Sequence, residues 1–153
     1  MADPLIEAAR ELFDEAFGGM RDAIDGLSAE ALAWRPTAED SNSLTVLATH
    51  GLHSSRWWFT IARGAPLPDR DRPSEFVAET GSAEELLAFV DAMGADCYSR
   101  LDPNEPFDPG AERTVPDDDP VSSAWALLHA LEHLREHVAQ AQLTRQLWLA
   151  TQG

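Results

Sequence analysis

Hydrophobic residues recur at three- and four-residue intervals over four long stretches of the chain, a period that predicts amphipathic helices. Asp3 and Pro4 mark the first helix start, and Ile6, Ala9, Leu12, Phe13, Phe17, Met20 and Ile24 form one stripe, which Gly26 is expected to end. Ser28 is placed to cap a short turn through LSAEALAWRP, closed by Pro36, and Thr37 to Asn42 reads as a polar connection. Ser43 then caps LTVLATHGLHSSRWWFTIAR, with Gly64 as its stop. Ser82 and Glu85 make a capping box for a third long helix through Leu86, Phe89, Val90, Met93, Cys97 and Leu101. The last helix, PVSSAWALLHALEHLREHVAQAQLTRQLW, is expected to open with Asp119 as N-cap and Pro120 in its first turn.

Two connections are too rich in proline and charge to continue these helices. Residues Ala65 to Gly81 read as a long crossover or cover loop, a length that is often functional. Asp102 to Asp119 cannot sustain a helix, although Arg113 to Val115 suits a short extended piece. Neither an internal repeat nor a convincing strand alternation is present. Four long helices with long crossovers predict an all-α fold, a four-helix bundle forming one domain over residues 1–153.

The candidate chemistry sits in the last helix, where His129, His133 and His137 recur every fourth residue and so form a ridge on one face. That ridge borders Ala130, Leu134, Val138 and Ala141, the buried stripe of the same helix. Two imidazoles one turn apart are half of a metal site, since a stable site usually takes at least three protein ligands. The third donor comes from His50 or His53. His50 lies at the centre of an apolar stripe with Val46, Leu47, Ser54, Trp57 and Ile61, where a bare imidazole is costly without a partner. His53 lies toward the edge of that stripe, and His53 and His129 read as outer or edge residues. The expected metal ligands are therefore His50, His133 and His137, with one coordination position left for water or substrate. Satisfied core histidines are the plainer alternative.

HALEH and HLREH also fit the H-x-x-E-H pattern of inverted zinc proteases, with Glu132 or Glu136 as base. Such matches arise readily in a helix rich in His and Glu, and Glu132 projects about 100° from His133. Both glutamates read better as solvated flank positions, one of them a candidate to orient a ligand from behind. Trp57 and Trp58 read as core filling that could also wall a pocket, and Cys97 as a buried small hydrophobe. Arg35 and Arg145 are candidates to meet a substrate carboxylate, or else exposed arginines of an acidic protein.

Charge narrows the partners. The 153 residues carry 27 acidic and 11 basic side chains, a formal net charge of −16, and every basic one is Arg. Such a surface repels phosphate backbones and anionic membranes, so neither nucleic acid nor membrane is an expected partner. The apolar runs are too short to span a bilayer and the N-terminus lacks signal-peptide features, which gives a cytoplasmic expectation. One cysteine leaves no intramolecular disulfide framework.

The order LAWRP, then SLTVLATHGLHSSRWW, then far downstream LLHALEHLREHVAQAQLTRQL resembles the DinB-like superfamily of bacterial four-helix proteins. The resemblance covers nearly the whole chain and maps the metal ligands onto His50, His133 and His137, with Gln140 at the polar place after the pair. It implies a divalent metal, often zinc or nickel, and dimerisation, so that a homodimer is expected. It also implies chemistry like that of S-transferases or isomerases using a low-molecular-weight thiol such as mycothiol, bacillithiol or glutathione. Two positions depart from the pattern: Ser55 stands where a carboxylate is frequent, and Glu136 where a histidine is frequent. Two function classes follow, a metal-dependent thiol S-transferase or isomerase acting on a small-molecule substrate, and a non-catalytic metal-binding or stress-associated bundle.

Overall fold

The computed structural model describes residues 1–37 and 39–153. It is mainly helical: α1 (Pro4–Ile24), α2 (Ala29–Ala33), α3 (Leu44–Arg63), α4 (Arg72–Glu75), α5 (Ala83–Ser99) and α6 (Ser123–Thr151), with two short strands, β1 (Glu112–Arg113) and β2 (Val121–Ser122). The caps form as their residue types dictate. Asp3 accepts from the amides of Leu5 and Ile6, Ser43 from Val46 and Ser82 from Glu85, while Gly64 ends α3 in the left-handed region at φ 64°.

The last helix begins later than its sequence suggests. Ser122, not Asp119, is the N-cap, its hydroxyl accepting from the Trp125 amide at 3.1 Å. Val121–Ser122 pairs antiparallel with Glu112–Arg113, so Pro120 lies in the approach to a strand and not in the first helical turn. The extended piece expected at Arg113–Val115 forms instead at Glu112–Arg113 and overlaps the expected one only at Arg113. Leu12, placed in the apolar stripe of α1, is 53% exposed. Its neighbour Phe13 takes the core position, touching Phe59 and Tyr98 edge-on.

Side-chain partners give the helix directions. Gly51 faces Leu134 and His137 while Trp58 meets Trp125, so α3 and α6 run antiparallel. His53 packs on Phe89, and Thr60 accepts from Arg100, so α3 and α5 run parallel. Phe13 meets Tyr98 while Arg21 pairs with Asp91, making α1 and α5 antiparallel. Around the bundle the neighbours are α1, α6, α3 and α5. Their shared core includes the fully buried Ile6, Phe13, Met20, Leu44, Leu52, Phe59, Leu127 and Leu134.

The parallel pair has a consequence for the site. A chain leaving the end of α3 must return along its 20 residues, about 30 Å, before α5 can start beside it. Residues 65–81 make that return across the side of α3, and α4 interrupts them halfway. There Glu75 turns inward until it is 2% exposed.

Candidate metal centre

His50 is presented by α3, and His133 and His137 by successive turns of α6. The two helices come together closely because Gly51, adjacent to His50, sits 3.4–3.5 Å, measured from where a Cβ would stand, from Leu134 and His137. The three rings converge: His50 lies 5.2 Å from His133 and 5.0 Å from His137 between centroids, and one ligand atom from each ring falls within 4.8 Å of the others. His50 is buried, the other two half-buried, so the trio lies at the rim of the α3–α6 interface.

The outer nitrogens define which atoms face inward. Nδ1 of His50 is 2.8 Å from Oε2 of Glu75. Burial alone would raise the Glu75 carboxyl, but hydrogen bonds from His50 and Arg70 and the Arg70 charge outweigh it and hold the group at about 2. An ionised carboxylate only accepts, so Nδ1 of His50 carries the proton and donates it, leaving Nε2 for the interior of the trio. Arg70 grips the same carboxylate in a fork, Nε to Oε1 at 2.7 Å and a terminal nitrogen to Oε2 at 3.0 Å. At His137, Nδ1 donates to Oε1 of Gln140 at 2.8 Å, and Nε2 lies 3.3 Å from Nε2 of His133. Nδ1 of His133 is buried without a hydrogen-bond partner among the described residues.

These features fit a first-row divalent ion. Metal–imidazole bonds of about 2.0–2.1 Å in a tetrahedral site put neighbouring donors roughly 3.3 Å apart, and the His133–His137 separation matches that edge. Metal ligation also needs neutral rings. Burial, then repulsion from His137 and His50, pushes His133 down to about 4, and burial lowers His137 despite the opposing Gln140 hydrogen bond. The unpartnered Nδ1 of His133 is the kind of unmet polar atom that functional sites tolerate.

Other sequence candidates fall elsewhere. His129 stacks on Trp125 at 4.6 Å and meets Trp58 edge-on, one turn outside the trio. His53 packs against Phe89, its Nδ1 unpartnered among the described residues. Neither joins the cluster of ligand atoms. Glu132 and Glu136 are exposed, and among the described residues Glu132 approaches His129, at 3.7 Å, and none of the trio, so the carboxylate behind a ligand is neither of them. It is Glu75, which sequence reasoning missed; the one available signal was an acidic residue in a cover loop containing a proline-started turn. Arg145 donates to the carbonyls of Ala23 and Asp25, ending α1, and Arg35 donates to Asn42. Ser55 bonds back to the Gly51 carbonyl. Trp57 and Trp58 pack against the core, with Arg70 over the Trp57 ring at 5.7 Å. Cys97 is fully buried, which pushes its thiol up to about 12.

The helical bundle gathers three imidazoles from two facing helices in positions that could hold a metal ion. The profile of the DinB superfamily matches residues 7–141, and the chain belongs to that family. Among solved structures, the crystal structure of a conserved protein from Enterococcus faecalis shares the fold, with a TM-score of 0.75 and 18% identity, over 94% of this chain and 96% of that one. Among curated proteins no sequence matches. No helix among the described residues is long and apolar enough to cross a membrane.

Proposed function

We propose that His50, His133 and His137 bind a divalent metal, zinc or nickel, and that the protein is a metal-dependent S-transferase or isomerase using a low-molecular-weight thiol. The observation that carries the metal is the convergence of three imidazole donors within 4.8 Å. Three protein donors leave a coordination position for an outside molecule. When bound, such an ion lowers the pKa of a coordinated thiol or water toward neutrality and so supplies a nucleophile.

The chain's own residues do the rest. His50 is held by Glu75, and His137 by Gln140, so two of the three rings are fixed before any ion arrives. One turn away from both, Leu47 and Gln140 help line a cavity of about 240 Å³ with Leu143, Thr144, Leu147 and Asn42. Its lining joins apolar Leu47, Leu143 and Leu147 to polar Asn42, Gln140 and Thr144, a mixture that suits the body of a small organic substrate. The net charge of −16 supports a small-molecule partner over nucleic acid or an anionic membrane. Exposed Trp125 and Leu128 on α6, outside that cavity, support the expected homodimer, and a monomer mass by light scattering would remove that part of the reading.

Metal analysis of protein purified without a polyhistidine tag tests the proposal, on the parent and on His133→Ala. About one metal ion per parent chain and a large loss in the variant is the expected result; near-zero content in both overturns it. For the thiol, cobalt(II)-loaded protein is titrated with mycothiol, bacillithiol and glutathione. A sulfur-to-cobalt charge-transfer band supports the transferase reading, and an unchanged spectrum with all three leaves the non-catalytic metal bundle in its place.

A further inference from the structure

The return of the chain between α3 and α5 brings a buried carboxylate and a largely buried guanidinium to the back of one imidazole. Glu75 is 2% exposed and the Arg70 side chain 10%. Glu75 accepts from Nδ1 of His50 at 2.8 Å, and both of its oxygens accept from the Arg70 fork. Phe76, the next residue, lies against the same imidazole at 4.6 Å between centroids, and Arg72 covers Phe76 from outside at 5.2 Å. We propose that Glu75 and Arg70 are positioning residues for the metal centre: Glu75 fixes the tautomer and orientation of His50, and Arg70 fixes Glu75. This deepens the metal-binding reading above and rests on it.

An imidazole on a helix can turn about its outer torsion and can carry its proton on either nitrogen. A donor used for a metal needs one orientation and one tautomer, and a hydrogen bond from the other nitrogen to a carboxylate supplies both while making the ligating nitrogen more basic. A lone carboxylate would itself swing. The guanidinium fork removes that freedom because it engages both oxygens in one plane.

The three ligands are unequally served. His137 has the neutral amide of Gln140, and Nδ1 of His133 has no partner among the described residues. His50 has an anion. Metal affinity should therefore depend strongly on a segment that supplies no ligand itself. The simplest rival role for Glu75 is to anchor residues 65–81 to α3, which would affect folding and not the metal.

Cobalt(II) titrations of metal-free protein distinguish the two roles, using the parent, Glu75→Gln, Arg70→Gln and Val77→Ala, the last at a 75% exposed position of the same loop. Gln keeps the size of Glu75 but turns one of its acceptors into a donor facing His50 or Arg70. Affinity in Glu75→Gln should fall roughly 10–100-fold, as for other partners of metal-ligating histidines. Arg70→Gln should lose less, Val77→Ala nothing, and the cobalt bands of Glu75→Gln should shift. Should Glu75→Gln fail to fold by circular dichroism, Arg70→Gln carries the comparison. Variants that melt earlier yet bind cobalt with parental affinity and spectrum assign Glu75 to loop anchoring alone and overturn the proposal. A parent that binds no cobalt overturns the metal reading itself, a separate outcome.

Discussion

The Nε2 atoms of His133 and His137 stand 3.3 Å apart across one turn of α6, with Nδ1 of His137 turned away toward Gln140. On the proposed metal reading, removing either imidazole should abolish stable binding, because two remaining donors do not hold a first-row ion firmly. Gln140→Ala frees the His137 ring without removing it, and metal affinity should drop about tenfold. Competition against a chromogenic chelator measures both; a Gln140→Ala loss as large as that of His137→Ala would contradict the assigned roles.

Acid should destabilise the metal-free protein in two stages. His133 is lowered from 6.5 to about 4, and His137 is lowered in the same direction. Below pH 6.5 the unfolded chain takes up protons that the folded chain refuses, so the contribution of these rings is complete above 6.5 and declines as pH falls toward 4. Glu75, lowered from 4.5 to about 2, adds a second decline that starts near pH 4.5. Urea midpoints measured across this range should fall monotonically with acidification from pH 6.5; a midpoint that rises would refute the sign.

Two helix glycines should respond in opposite directions to alanine. A Cβ at Gly94 in α5 would overlap the ring of Phe17, whereas nothing lies within 4 Å of a Cβ at Gly18 in α1. Gly94→Ala should cost about 1–3 kcal/mol through overpacking. Gly18→Ala should gain about 0.5–1 kcal/mol, since alanine loses less backbone freedom on entering a helix. Chemical denaturation reads both.

The start of α6 is open to the same measurement. Ser122 accepts from the Trp125 amide, so Ser122→Ala should cost about 1 kcal/mol. Pro120→Ala, outside the helix, should stay within about 0.5 kcal/mol of the parent. The reverse order would return the helix start to Pro120.

Cys97 should be silent in the native state. Its thiol is fully buried and pushed up to about 12, so almost no thiolate is present near neutral pH. A thiol reagent should label it only after denaturant is added. Rapid native labelling would place the residue in an accessible site.

Much of the centre was legible in the letters because helical periodicity is a local property. A four-residue interval alone puts His133 above His137, and the apolar neighbours of His50 alone turn it inward. Chain order could not say that α3 and α6 run antiparallel in contact, although it allowed the pairing of their histidines. The helix caps followed the same local logic, and the one that failed, Asp119, lost to a strand pairing between residues eight and ten apart.

The sequence by itself determined the four long helices, the inward face of His50 and the His133–His137 pair, since each depends on residues within a turn or two of one another. Tertiary structure alone decided that Glu75 and Arg70 stand behind His50. Their place follows from the parallel course of α3 and α5, which forces residues 65–81 back along α3, and no period or motif within those residues records where such a path touches the helix it crosses.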